Sequence, residues 1–255
     1  MSKVIIEEFK PRASSLEKIM GEIGLSTVQN KKLSELQLRA DGEGKPLTDK
    51  MEAERVKLKN TKDNPVLPAG CITYLKEWYA EQWTGTRQDI QSKYTAKGHM
   101  CEDEAIEVIE DMFGEFGERM AKNEERRDNG WITGEADVVS GKLIYDAKCP
   151  WDGKTFLDSV CSPHNTLYVW QMRGYMWLWG KAEAKVCYVL LDTPEDANYG
   201  EEVIFSDIPI KDRFYSFSVL RDKYFEQQIK ERVLLCRKWL GEYTIKVNAL
   251  VNGEL

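Results

Sequence analysis

Three charged residues on one short stretch are the first candidates for chemistry. Asp137, Asp146 and Lys148 lie in a segment that otherwise has the alternating pattern of a β-hairpin. Two converging carboxylates raise each other's pKa, so the arrangement is costly unless a cation lies between them. Lys148 and a hard metal ion are the two available cations. The spacing alone leaves two interpretations open: a solvated hairpin face with one surface ion pair, or a metal-binding catalytic site.

The register of the hairpin decides whether these side chains can meet. Alternate residues of a strand point to opposite faces, and a two-residue turn at Ser140-Gly141 would pair Val139 with Lys142. Asp137 and Asp146 are then diagonal neighbours on one face, roughly 7–8 Å apart at the backbone. A loop with an odd number of residues would separate them. The opposite face carries a set suited to a core: Val138, Leu143, Tyr145 and Ala147.

A helix upstream offers a third carboxylate. Its apolar residues form one stripe from Ala105 to Phe116, and most of its acidic residues lie outside that stripe. Glu102 falls inside the stripe, so its carboxylate should point toward the core, where an ionised group is costly unless it is coordinated. The alternative is that this first-turn acid turns outward and complements the helix dipole.

Composition limits the class of protein and the kind of metal site. The chain has 255 residues, 42% of them hydrophobic, with a formal charge of −7, which argues against a general nucleic-acid binder. Its six cysteines never form C-x-x-C, which indicates reduced thiols, and with two histidines the ligands of any metal would be oxygens. The N-terminus is not a signal peptide and no apolar run has the length of a membrane span, so we expect a cytoplasmic protein without a membrane partner.

The pattern along the chain predicts one α/β or α+β domain over residues 1–255. We expect a polar, mobile insertion at about 25–64 with a helix near 47–59, and a long C-terminal helix at about 211–240. Further helices are predicted at about 71–83, 97–119 and 163–179, a hairpin at about 131–149, and strands at about 184–191 and 201–207. A helix should also begin near Ser14, which has capping-box spacing to Glu17. Arg12 just before it could make a phosphate pocket, although an ordinary helix cap explains the same residues.

These motifs together resemble a known family of nucleases. An acid, a hairpin and then Asp146-Ala147-Lys148 followed by Cys-Pro resemble the core motif of the PD-(D/E)XK nucleases. More specifically, the chain is similar to the phage lambda exonuclease family, the YqaJ-like viral recombinases. The likeness covers most of the chain outside 25–64 and the final residues. It includes four further segments in the family's order: Arg12-Ala13-Ser14-Ser15, Thr73-Tyr74 through Thr84-Gly85, Gly98-x-x-x-Glu102, and Gln171-x-x-x-Tyr175. Two positions depart from the pattern, since Ala136 replaces the usual Pro and Asp146 the commoner Glu.

The resemblance implies a fold and a metal-dependent site. The fold would be a restriction-endonuclease-like core, a central mixed β-sheet flanked by helices. Asp137, Asp146 and the backbone carbonyl of Ala147 would hold the principal ion, Mg²⁺ with Mn²⁺ as a substitute, and Glu102 would help to hold a second. Lys148 would orient or deprotonate the attacking water.

The resemblance also implies a substrate and partners. The expected activity is 5′-to-3′ digestion of one strand of linear double-stranded DNA from a 5′-phosphorylated end, which leaves 3′ overhangs for recombination by single-strand annealing. Residues implied to contact DNA are Arg12, Ser14 and Ser15 at the terminal phosphate, and Gln171 and Tyr175 at the site or the DNA backbone. A ring-shaped homotrimer, an annealing protein and a bacterial host cytoplasm are implied as well. A structure-specific endonuclease or resolvase on the same core, or a DNA-binding scaffold that does not cleave, remain alternatives.

Overall fold

A computed structural model describes residues 7–86, 93–114, 120–141, 143–162 and 165–251. These residues form two compact units. One is built from the helices between Lys18 and Thr84 and the C-terminal part of the last helix, from Leu234 onward. The other holds Glu7–Glu17 and the described residues between Gly85 and Val233. All candidate site residues lie in this second unit.

The helices and strands are as follows. The helices are α1 (Leu16–Met20), α2 (Thr27–Ala40), α3 (Asp49–Asp63), α4 (Ala69–Thr84), α5 (Lys93–Met100), α6 (Glu102–Phe113), α7 (Gly153–Cys161), α8 (Thr166–Trp179) and α9 (Lys223–Val251). The strands are β1 (Arg127–Asp128), β2 (Thr133–Gly134), β3 (Val138–Val139), β4 (Ile144–Lys148), β5 (Glu183–Val189) and β6 (Phe214–Leu220). In the described chain no helix is both long and apolar enough to cross a membrane.

A mixed four-stranded sheet in the order β3-β4-β5-β6 forms the centre of the second unit. The outer pairs, β3 with β4 and β5 with β6, are antiparallel, whereas β4 and β5 run parallel. A parallel pair requires a crossover connection, which here contains α7 and α8. The expected α/β architecture with a central mixed sheet is therefore confirmed.

The hairpin register differs from the expected one by two residues. Val139 pairs with Ile144 and Val138 with Tyr145, so a longer loop replaces the two-residue turn that was predicted. Ser140 N donates to Leu143 O at 2.9 Å across this loop, and Lys142, the expected partner of Val139, lies outside the described residues. Since a shift of two leaves the parity of the strand unchanged, the acidic residues still share one face.

Helices cover both faces of this sheet. On one face, Ala105, Ile106 and Ile109 of α6 are buried in a cluster with Val138 and Tyr145, as the apolar stripe predicted. The single helix expected at about 97–119 is wrong in its bounds: the chain forms α5 and α6 with a break at Cys101, and α6 ends at Phe113; residues 115–119 lie outside the described residues. On the other face, α8 packs against β4, β5 and β6. The charged face of the hairpin is therefore covered by a helix, and Asp146 is fully buried beneath it.

The polar segment at 25–64 contains two helices, α2 and α3, where one was expected near 47–59. Each is capped by a hydroxyl side chain: Ser26 accepts from Gln29 N, and Thr48 accepts from Met51 N. Three buried leucines, Leu33, Leu36 and Leu58, hold the pair together. The helix expected near 47–59 is α3, and the polar composition hid α2 because its apolar stripe is only a few residues wide.

Two expected elements near the C-terminus are wrong. Phe214–Leu220 is strand β6, so the long helix begins at Lys223 and not near 211. The alternation in this stretch, with Phe217 and Val219 buried and Ser218 and Leu220 exposed, has the period of a strand. The strand expected at 201–207 is reduced to one bridge between Val203 and Thr193.

The N-terminal helix begins near Ser14, as expected, but without the predicted capping box. Ala13–Ser15 form a 3-10 helix that continues into α1, and Arg12 at its N-cap makes no side-chain capping bond. Ser14 lies inside that turn and is exposed. The backbone of Arg12 bridges to Thr133 of β2 in a parallel sense, which ties this turn to strand β2 within the second unit.

Candidate active site

Asp146 is the most deeply placed acidic residue of the site, with a fully buried side chain. Its Oδ1 accepts a hydrogen bond from Gln171 Nε2 at 3.1 Å. Its Oδ2 faces Lys148 Nζ at 2.5 Å but has no hydrogen bond of acceptable geometry. Burial raises the pKa of Asp146 to about 7; Lys148 opposes that shift, and the nearby charges of Asp137 and Glu102 add to it. The site therefore holds more negative charge than one ammonium offsets.

Lys148, the last residue of β4, supplies that ammonium. Burial alone would lower the pKa of Lys148, but the carboxylates of Asp146 and Asp137 outweigh it and raise that pKa above its usual value. The ring of Tyr168 lies 5.1 Å from Nζ, within the range of a cation–π interaction. Lys148 is therefore held as a cation at the edge of the sheet.

Asp137 lies on the adjacent chain of the hairpin, just before β3. Its Oδ2 accepts a hydrogen bond from the backbone N–H of Ala147 at 2.8 Å. This bond ties Asp137 to the residue between Asp146 and Lys148. The two aspartates and the lysine predicted from the hairpin pattern are therefore brought together by the fold.

Glu102 begins helix α6 and reaches the same region from a different element. Its side chain is 21% exposed, between the buried and outward positions weighed from the sequence, and its Oε2 lies 3.4 Å from Lys122 Nζ. Lys122 also pairs with Asp103 at 3.3 Å. The charge of Glu102 helps to raise the pKa of Asp146, so it acts on the buried carboxylate.

Gln171 and Tyr175 lie on consecutive turns of α8, the helix that covers the charged face of the hairpin, and contact the site from that helix. Gln171 Nε2 donates both to Asp146 and to Tyr175 Oη, the latter at 3.0 Å. Burial and the nearby charge of Asp146 raise the pKa of Tyr175, so its hydroxyl stays neutral. The Gln-x-x-x-Tyr pair therefore orients the buried carboxylate.

The N-terminal segment packs closely on the same helix. A side-chain carbon at Gly174 of α8 would come within 2.9 Å of Ala13 Cβ, and one at Gly134 would come within 3.0 Å of the Tyr175 ring. These approaches require glycine. They hold the turn containing Arg12, Ser14 and Ser15 against α8, although the structure does not place these three residues among the acidic groups.

The donor set suits a hard divalent ion. Asp137 and Asp146 present carboxylate oxygens to one region, where the buried Oδ2 of Asp146 has the Lys148 ammonium as its charged partner. Among the described residues no three His, Cys, Asp or Glu side chains form a ready-made metal cage. Mg²⁺ is usually held by one or two carboxylates with water and substrate phosphate completing its shell, so these residues fit it without such a cage.

Three side chains near the site were not expected from the sequence. Tyr168 precedes Gln171 by three residues and so shares its helix face, a signal that the sequence did carry. Lys122 contacts Glu102 from a stretch without regular periodicity, and Lys97 contacts backbone carbonyls of distant loops. Sequence spacing gave no sign of these last two contacts.

Comparison with known proteins agrees with this geometry. No protein-family model and no curated protein sequence matches the chain. Among solved structures, a phage-related exonuclease from Haemophilus somnus is 27% identical, with a TM-score of 0.71 over 96% of this chain and 97% of that one. An alkaline exonuclease from Laribacter hongkongensis is 13% identical with a TM-score of 0.61, covering 96% and 95% of the two chains, and its complex with dAMP gives 0.63.

The sheet, the hairpin carboxylates and the lysine match the arrangement expected of a PD-(D/E)XK nuclease, and the fold is that of the exonuclease structures. Within that class the resemblance to the phage lambda exonuclease family is confirmed, and the comparison supports a nuclease of the phage exonuclease family.

Proposed function

We propose that this protein is a Mg²⁺-dependent 5′-to-3′ exonuclease that degrades one strand of linear double-stranded DNA and leaves 3′ overhangs. The observation that carries the proposal is the arrangement of Asp137, Asp146 and Lys148 on one face of the hairpin, backed by Gln171. Two carboxylates beside one ammonium can accommodate both a cation and a phosphodiester, which a purely structural ion pair would not require.

The proposed metal site uses oxygen ligands alone. Asp137, Asp146 and the backbone carbonyl of Ala147 would hold one Mg²⁺ or Mn²⁺, and Glu102 would help to hold a second. Bound divalent ions supply Lewis-acid stabilisation to the attacking and leaving oxygens of a phosphodiester. Gln171 keeps Asp146 oriented for this task through its hydrogen bond to Oδ1.

We propose that Lys148 acts in the reaction through its positive charge and not as a base that deprotonates water. Since the neighbouring carboxylates raise its pKa, the side chain is an ammonium at neutral pH. An ammonium donates hydrogen bonds and offsets phosphate charge, so we propose that Lys148 orients the attacking water and stabilises the charged transition state. Tyr168 keeps the ammonium in place from the α8 side.

The DNA end is proposed to be recognised by the N-terminal turn. Arg12, Ser14 and Ser15 lie on a segment packed against α8 and are at least partly exposed. A guanidinium and two hydroxyls suit a 5′-terminal phosphate. The Laribacter structure contains dAMP, and we propose that this chain likewise releases deoxynucleoside monophosphates.

The resemblance supports two further proposals about partners. The protein would assemble as a ring-shaped homotrimer around DNA, and it would act with a single-strand annealing protein in phage-type recombination. Light scattering on the purified protein tests the first: a mass near three chains is expected, and a monomer at working concentration would contradict it.

One digestion experiment tests the activity. End-labelled linear duplex and closed circular duplex are incubated with Mg²⁺, and parallel samples receive EDTA. Stepwise release of nucleotides from linear DNA alone, abolished by EDTA, is expected. Cleavage of the circle would indicate an endonuclease or resolvase on the same core. Binding without cleavage would indicate a non-cleaving scaffold.

A further inference from the structure

Lys97 of helix α5 is a fully buried lysine whose ammonium lies among uncharged oxygens. Its Nζ donates to Leu191 O at 2.7 Å, to Thr193 Oγ1 at 2.8 Å and to Trp151 O at 3.1 Å. An ammonium has three hydrogens to donate, so these three acceptors satisfy it fully.

Burying the charged ammonium of Lys97 costs free energy, so an interaction that it makes must compensate for that cost. Burial lowers the pKa of Lys97, and nearby groups such as Asp192 only partly oppose that shift. An apolar side chain would fill the same space without the desolvation cost. What Lys97 adds is its three hydrogen bonds, each to a different residue, and a cation–π contact with the Phe205 ring at 5.2 Å.

The acceptors follow the ends of two parallel strands. Trp151 lies three residues beyond Lys148, the end of β4, and Leu191 and Thr193 lie shortly beyond Val189, the end of β5. Parallel strands end at the same edge of a sheet. Lys97 therefore joins two loops at the edge where Lys148 presents its ammonium.

The same lysine lies five residues before Glu102, across the junction between α5 and α6. Lys97 O accepts from Cys101 N at 2.9 Å, and Cys101 precedes Glu102 at the start of α6. The junction between α5 and α6 is tied to the same two loops by weak thiol contacts: Cys101 Sγ to Asp192 O at 3.6 Å, and Cys149 Sγ to Cys101 O at 3.7 Å.

We propose that Lys97 is a positioning residue for the nuclease site: its ammonium fixes the α5–α6 junction, and so Glu102, against the strand end that carries Asp146 and Lys148. The inference rests on the proposed function, and it adds a residue that touches neither substrate nor ion. The hydrogen bonds of Lys97 would thereby fix the distance between Glu102 at the start of α6 and the end of strand β4.

Replacing Lys97 by Met tests this role, since Met fills a similar volume without the hydrogen bonds. We expect kcat on 5′-phosphorylated duplex to fall about 10- to 100-fold, the usual effect of removing a supporting group from a metal site. KM for the DNA should change by less than about twofold, because Lys97 does not contact DNA. Calorimetric titration with Mn²⁺ in the absence of DNA should show weaker binding.

Thr193 provides a milder matched pair in case Lys97→Met fails to fold. Thr193→Val removes one acceptor of the ammonium while keeping the shape, and Thr193→Ser keeps the hydroxyl. The Val variant should lose part of the kcat and Mn²⁺ affinity, and the Ser variant should retain both. In a Lys97→Met/Thr193→Val double variant the losses should be less than additive, because both act through one tie.

The outcomes separate this inference from the proposed function. A folded Lys97→Met variant that melts earlier but keeps wild-type kcat and Mn²⁺ affinity would show a purely structural role and overturn the inference. Equal behaviour of the two Thr193 variants would do the same. If the wild type binds Mn²⁺ but cleaves no DNA, the nuclease proposal fails while the calorimetry still decides the role of Lys97. A wild type that neither binds the ion nor cleaves overturns both.

Discussion

Asp146 and Lys148 form an ion pair of unequal burial: Nζ lies 2.5 Å from Oδ2, and the aspartate is fully buried while the lysine side chain is 22% exposed. They stand two residues apart on one strand and so point from the same face. The positive charge of the pair therefore lies beside the buried carboxylate, and the lysine side chain is also partly exposed to solvent at the edge of the sheet.

Removing the ammonium should affect both activity and stability. Lys148→Ala leaves the Asp146 carboxylate buried without its partner, which typically costs about 3–5 kcal/mol. We expect loss of nuclease activity and a lower free energy of unfolding by chemical denaturation. Lys154→Ala is the matched control: its pair with Asp158 is 2.6 Å long but exposed, and should matter by less than about 1 kcal/mol. Wild-type turnover by a folded Lys148→Ala variant would refute the catalytic role of Lys148.

The stability of the metal-free protein should depend on Asp146 near neutral pH. Its pKa is about 7 in the folded chain and 3.8 as the ordinary value, so the folded state holds the proton more tightly. This contribution to stability is complete below the ordinary pKa and is lost as the pH rises through about 7.

Thermal unfolding in EDTA from pH 5 to 8 tests this. Wild type should lose stability relative to Asp146→Asn as the pH rises, because the ionised carboxylate faces Asp137 and Glu102 as well as Lys148. Added Mg²⁺ should reduce the difference, since a cation favours the ionised form. Parallel pH profiles for the two proteins in EDTA would mean that Asp146 is already ionised throughout.

The contact between α8 and the N-terminal turn should not tolerate a methyl group. At Gly174 an added carbon would lie 2.8 Å from Leu16 Cδ1 and 2.9 Å from Ala13 Cβ. We expect Gly174→Ala to lower the free energy of unfolding by about 1–3 kcal/mol, as overpacking does. Gly241→Ala, in a helix with open space around it, should instead stabilise by about 0.5–1 kcal/mol. An equal effect of both changes would rule out close packing at Gly174.

Arg12 should govern the preference for a phosphorylated DNA end. Wild type is expected to degrade 5′-phosphorylated duplex faster than 5′-hydroxyl duplex. Arg12→Ala should lose most of that preference, by about 1.5–3 kcal/mol for a hydrogen bond to a charged group, or about tenfold or more in rate. Equal slowing on both ends would show that Arg12 supports the fold or contacts DNA elsewhere. Unchanged kinetics would leave the turn as an ordinary helix start.

The hairpin face could be predicted because the site depends on parity. The register differs by two residues from the expected one, yet Asp137 and Asp146 still share a face. The sequence did not predict that α8 covers this face. That packing depends on the connection between β4 and β5, which brings Gln171 next to Asp146. Strand β6 was missed because the charged residues before and after it suggested one continuous helix. The partners of Lys97 are backbone carbonyls and one hydroxyl of distant loops, which leave no pattern of side chains to detect.

The close packing of Ala13 on Gly174 also bears on the order of folding. The N-terminal turn is made first during synthesis, but α8, the helix that receives it, is made only after the hairpin strands β3 and β4. Contacts between residues far apart in sequence form late and slowly. The segment proposed to grip a DNA end should therefore dock among the last, so a nascent chain forms the hairpin proposed to bind the metal before it can hold the end of a DNA strand.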